Sequence, residues 1–354
     1  MPKRIPGYAW IATFALAAAG ALLACTSPDA PPISEAGAGG ALGDSGGDDS
    51  HPPSGRGTAG AAVELASSTP SEAPPSQPAS DPIADAYAAL EAADYKAVPK
   101  LIERLDAAFE QQPQQGRLAF YAGTMRMWLA TGGPRQPGEE LNDVLGAIEQ
   151  LEQARALMPE SPHPGAFLAI AQTALGDRLG DEARVDEGHR VFDETIALYP
   201  AYVSGVAAQA YGMLPRDHRY FSDALTATIN TLKHCGVEDF EADMRTAIPY
   251  PTAADSPQGT CWNGGGVAHV REGILLIFGD IFIKNGDAGT GRHFYEAVKQ
   301  TPTYDDWPFH AELEERIADA DQRAALYDDD DRYNDPPTWM EGDNLCVGCH
   351  AKAR

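Results

Sequence analysis

From residue 82 to residue 327, apolar side chains recur at three- and four-residue spacing, the period of helices that bury a face. The runs ADAYAALEAA, GRLAFYAGTMRMWLATG, GAFLAIAQTALGDRLG, YVSGVAAQAYGML and GVAHVREGILLIFGDIFIKNG carry this pattern. Second helices follow, and four of them superimpose when aligned on a proline. They are LDAAFEQQP (105–113), LEQARALMP (151–159), FDETIALYP (192–200) and FYEAVKQTP (294–302). Each sets a large apolar residue eight positions ahead of a proline, which cannot continue a helix. The first three prolines are 46 and 41 residues apart, and the fourth lies 102 further on. That last gap accommodates two periods and an extra loop. The pattern predicts an all-α fold of about five stacked helical pairs. Gly123, Ala171, Ala174 and Gly279 fall where two helices must approach closely. A final helix over 311–327, charged on one face, supplies the polar outer surface that closes such an array.

The repeat resembles the tetratricopeptide repeat. The match is best at Leu275, Phe278, Gly279, Phe282, Gly286, Tyr295 and Pro302, with Gly291 standing where the family usually has alanine. The next best runs from FLAIAQTALGDRLGD to FDETIALYP. The likeness spans about residues 82–304, and its period exceeds the family's usual ~34 residues, so the loops are lengthened. It implies an α-solenoid over 82–327. Tyr121, Trp128 and Tyr211 could line its groove, but they are read as inter-helix packing.

The N-terminus changes where this body works. Lys3 and Arg4 precede an apolar run over 8–24 that is short for a membrane span and reads as a signal peptide, residues 1–24. It closes on Leu22-Leu23-Ala24-Cys25, which resembles the lipobox of bacterial lipoproteins. The resemblance implies cleavage before Cys25 and acylation of its sulfur, and two or more chains hold a protein firmly on a bilayer. Thr26 after the cysteine resembles the outer-membrane-sorted version. Residues 25–81 are proline, glycine, serine, alanine and acid. Such a segment buries too little surface to order itself, and serves as a tether reaching on the order of 40 Å. Asp44, Asp48 and Asp49 belong to that solvated linker.

Charge narrows the partners. With 52 acidic against 26 basic residues, the formal net charge is -26. A surface this acidic excludes nucleic acid and anionic headgroups and favours basic partners. Asp328, Asp329, Asp330 and Asp331 lack the spaced ligands and turn glycine of a calcium loop, and read as a solvated run.

The tail, residues 328–354, carries the chemistry. Cys346-Val347-Gly348-Cys349-His350 spells C-x-x-C-H, in which two thiols bond covalently to haem vinyl groups and the histidine ligates the iron. One haem c is therefore expected, with Cys346 and Cys349 as its covalent attachments and His350 as an axial ligand. Only four residues follow the motif. A distal ligand must come from upstream: Met340 is nearest, His269, His293 and His310 are alternatives, and an open sixth position is another. Of five cysteines, Cys25 is assigned to lipid and two to haem. Cys235 and Cys261 remain, an even pair in an oxidising compartment, expected to be bridged and to contribute about 3.5 kcal/mol in the chain-entropy model. Trp262, Asn263, Gly264, Gly265 and Gly266 form either a disulfide-pinned turn or a small-ligand pocket at a helix N-terminus.

Enzymatic machinery is not legible. There is no nucleophile motif, phosphate loop or paired metal-ligand histidines, and Glu314 and Glu315 lie on a charged helix face. The expectation is an outer-membrane monohaem c-type lipoprotein whose helical body docks a redox or transport partner. The alternative is a haem-free interaction scaffold or small-ligand binder, similar to the helical-repeat lipoproteins of uptake systems. Its terminal cysteines would then form a disulfide or metal site.

Overall fold

The computed structural model describes residues 81–92, 94–131, 138–235, 237, 269–329, 331–332 and 334–338. All regular structure among them is helical. The helices are α1 (Pro82–Ala92), α2 (Val98–Gln111), α3 (Gly116–Thr131), α4 (Glu139–Leu157), α5 (Pro162–Leu179) and α6 (Glu182–Ile196). There follow α7 (Pro200–Met213), α8 (Phe221–His234), α9 (Val270–Lys284), α10 (Ala288–Val298) and α11 (His310–Tyr327), with a 3-10 turn at Tyr304–Asp306. No described helix is long and apolar enough to cross a membrane.

Local chemistry sets the boundaries. Pro113, Pro159 and Pro302 stand just beyond the ends of α2, α4 and α10, whereas Pro200 opens α7, where a missing N–H costs nothing. One short turn is used twice. Gly180 and Gly286 adopt the left-handed conformation, at φ 64° and 90°, which stops α5 and α9. The residue after each glycine caps the next helix: Asp181 accepts from the Arg184 amide and Asp287 from the Thr290 amide at 3.0 Å. The Gly-Asp dipeptide thus reverses the chain within each of these helical pairs.

Packing follows chain order. The helices pair as α1/α2, α3/α4, α5/α6, α7/α8 and α9/α10, five hairpins in all. The first helix of each hairpin also packs on the first helix of the next, and α9 ends the series against α11. The first helices between the two ends, α3, α5, α7 and α9, are consequently enclosed: 13 of the 14 residues of α7 are buried, against five of the 15 in α6. The second helices, with α1 and α11 at the two ends, bury one side only.

Hairpin crossings are closest at glycine. A Cβ on Gly291 would stand 2.5 Å from Ile283 Cγ1 and 2.9 Å from the Gly279 carbonyl. One on Gly279 would collide with the Tyr295 ring. Gly123 faces Leu151 at 2.8 Å, and Gly188 faces the Ala169 carbonyl at 2.8 Å. The position that the repeat pattern gives to alanine has no room for a methyl group here. Gly291→Ala should therefore cost about 1–3 kcal/mol in urea unfolding, despite a helix-propensity gain of about 1 kcal/mol. Gly289→Ala, whose Cβ meets nothing nearer than Asp287 Oδ1 at 3.6 Å, should be neutral or stabilising. Equal effects at the two positions would contradict the crowding.

Candidate functional site

The residues that carry the sequence-level chemistry fall largely outside the described set. Cys25, Cys261, Trp262, Asn263, Gly264, Gly265, Gly266, Met340, Cys346, Cys349 and His350 all do. Cys235, buried at the end of α8, is disulfide-bonded, with its partner outside the described residues. What is described is the start of the tail, up to Thr338, and the surface it contacts, formed by the C-terminal ends of α9 and α11 and the α7–α8 loop.

The tail segment 328–338 is strapped to that ground. Arg216 in the α7–α8 loop pairs with Asp328 at 2.6 Å and reaches the Tyr327 carbonyl. Arg332 pairs with Asp217 of the same loop. Asn334 donates to Asp329 at 3.0 Å. From α11, Arg323 donates to the Pro337 carbonyl at 2.6 Å and the Tyr327 hydroxyl donates to the Pro336 carbonyl. Thr338, the last described residue, is buried.

Beneath the strap lies a buried carboxylate, Asp280 on α9. It accepts from the Tyr295 hydroxyl of α10 at 2.6 Å and from Arg316 of α11 at 2.5 Å, with Arg323 at 3.6 Å. Arg316 is itself buried and also pairs with Glu312. Burial opposes its charge, but Asp280, Tyr295 and Glu312 more than offset that and raise its pKa. Burial, then the nearby Asp280 charge, pushes the Tyr295 and Tyr327 hydroxyls upward, so both stay protonated donors.

One turn along α9 is Lys284, wholly enclosed. Its ammonium donates to the Gly212 and Met213 carbonyls at the end of α7, at 3.1 and 3.5 Å. It also sits over the rings of Phe221 and Tyr327. Desolvation lowers its pKa to about 8, against the opposing pull of Asp335 on the strap, Asp177 on α5 and Asp280. Sequence reasoning did not single out Asp280, Lys284, Arg316 or Arg323. The signal was present: an acid and a base one turn apart inside GILLIFGDIFIK, the most apolar run of the body.

The upstream histidines are mostly committed to packing. His269 begins α9, fully buried, its Nδ1 3.9 Å from the Glu272 carboxylate. Glu272 in turn accepts from Thr301 and Thr303. His310 begins α11, donates from Nε2 to the Tyr304 carbonyl and lies against the Tyr304 ring. Along their helices these two stand roughly 20–25 Å from Lys284 and Tyr327, at the end away from the strap. His293, half-buried on α10, is two residues from the Gly279–Gly291 crossing. Tyr121 and Trp128 are buried in the core, and Tyr211 is in hydrogen-bond contact with His189 at 2.7 Å. Glu314 pairs with Lys299 at 2.8 Å. Among the described residues no group of three or more His, Cys, Asp or Glu could hold a metal ion. No protein-family model, curated protein or solved structure matches the chain.

Two measurements probe this site. Asp280→Ala leaves Arg316 charged and buried, and should lower stability by about 3–5 kcal/mol in chemical denaturation. A loss under 1 kcal/mol would mean that the carboxylate does not hold the helices together. Lys284 gives a pH signature. The unfolded amine keeps its proton to about 10.5, the folded one only to about 8, so between these values the unfolded state binds more protons and stability rises with pH. The rise should approach about 3 kcal/mol at most across the window, and Lys284→Met should flatten it. Parallel curves for the two proteins would refute an enclosed ammonium.

Proposed function

We propose that the chain is an envelope lipoprotein that carries one covalent haem c on its C-terminal tail. Its helical body, a tetratricopeptide-like solenoid, docks a redox or transport partner. The observation that carries this reading is the C-x-x-C-H motif, with Cys346 and Cys349 as thioether donors and His350 as axial ligand. The leader ending at Cys25 supports it, because haem c is attached outside the cytoplasm and the lipobox implies export. The solenoid reading is supported by five successive hairpins whose first helices pack in chain order.

When bound, the haem supplies one-electron chemistry, while the protein sets its surroundings and axial ligation. Met340, ten residues before His350, is the nearest distal candidate, and thioether ligation there would raise the potential. Among the histidines, His269 and His310 already serve the packing of α9 and α11, which leaves His293 as the more available imidazole. The net charge of -26 selects a basic partner surface and makes docking weaken with salt. The lipid on Cys25 holds the body at the outer membrane.

Co-expression with a haem c maturation system tests the reading. The product should give peroxidase-stainable haem that survives a denaturing gel, and Cys346→Ala with Cys349→Ala should abolish it. An unstained, full-length wild-type band would leave a haem-free helical scaffold, and the cofactor reading would be lost.

A further inference from the structure

We propose that the cleft between α4 and α5, with the two exposed leucines beside it, docks a basic partner segment that inserts an apolar side chain. This rests on the docking part of the reading above and not on the haem. Met127 of α3, Val144 of α4 and Ala174 and Leu175 of α5 line the cleft, with Leu141 and Arg178 at its edges. Ala174 is too short to fill the space between the two helices, and about 340 Å³ is left, part of it open to solvent. Arg178 already donates to the buried Glu140 carboxylate at 2.9 Å. The cleft therefore offers a partner apolar contact rather than an unmatched charge.

The apolar surface continues outside it. Leu145 stands one turn from Leu141 along α4, and Leu179 one turn from Leu175 along α5. They are 40% and 53% exposed, and among the described residues only Leu198, at 43%, is comparable. The buried stripe of α4 runs through Val144, Ala147, Ile148 and Leu151, so core packing does not account for Leu145. A lone surface leucine is ordinary, but two beside an open apolar cleft form a patch of the kind that binding covers.

The rim fixes the charge of the occupant. Along α4, Glu139, Glu140, Asp143, Glu149 and Glu152 stand against Arg155 alone, and Asp181 and Glu182 follow α5. Acids so placed repel an acidic segment and, at a net charge of -26, a second copy of this chain. A segment with lysine or arginine on both sides of a leucine, methionine or phenylalanine satisfies cleft and rim together. Its apolar side chain enters beside Leu145 and Leu179, while its cations lie over the acids.

The test uses the full chain with isotope-labelled methionine methyls, so that Met127 reports from the cleft by NMR. The probe is a synthetic amphipathic peptide of lysine and leucine, compared with its glutamate and leucine counterpart. The basic peptide should move the Met127 signal, identified through Met127→Leu, and leave that of Met213, buried at the end of α7, in place. Leu145→Ser combined with Leu179→Ser keeps the charge, and thermal melting checks its fold. This double variant should bind about tenfold more weakly, Leu198→Ser should match wild type, and the acidic peptide should not bind. Equal weakening in Leu198→Ser, or equal movement of Met127 and Met213, would overturn the site while leaving a basic partner for the body. Self-association of the wild-type chain that the double variant loses would overturn it in favour of a second copy. If the basic peptide does not bind at all, the site and the docking reading both fall.

Discussion

Asp280 is the point through which the C-terminal third of the molecule is joined. One carboxylate, with no solvent to satisfy it, takes hydrogen bonds from α10 and α11 and lies close to the arginine that grips the tail. A buried ion pair gains little over an apolar contact of equal shape, because both charges lose their hydration. Its value lies in direction. Tyr295, Arg316 and Arg323 can satisfy one acid together only when three helices stand in a single register. Apolar packing alone would tolerate sliding, and sliding would carry the strap anchors away from the strap.

That register also depends on how closely the helices approach. Gly279 and Gly291 bring α9 and α10 near enough for the Tyr295 hydroxyl to reach across to Asp280. Bulk at either glycine would spread the hairpin and lengthen that hydrogen bond. Small residues and the buried acid are thus one device, the first setting distance and the second setting rotation. Lys284 extends it to α7 by closing that helix's last carbonyls, which ties successive hairpins together.

These features give the C-terminal end a character distinct from the rest of the array. Several ion pairs of the earlier hairpins, such as Arg104–Asp85 and Arg190–Glu194, are partly or largely exposed and contribute little. Beneath the strap Asp280, Lys284 and Arg316 are buried, whereas the strap's own pairs, Arg216–Asp328 and Arg332–Asp217, are largely exposed.

The sequence by itself determined the class and the count: an all-α body, about five helical pairs and a closing helix, because three- and four-residue apolar spacing and helix-stopping prolines act locally. Gly123 and Gly279 were legible as close approaches for the same reason. The C-x-x-C-H spacing of Cys346, Cys349 and His350 was legible as well, because it is short-range information. Only the tertiary structure decided that Asp280, Lys284, Arg316 and Arg323 meet, or that Pro336 and Pro337 are held from α11. In sequence each is an ordinary charge or proline, and α11 reads as a solvated polar face. Their roles come from which helices lie side by side, and that is fixed by packing between residues tens of positions apart, where no local pattern reaches.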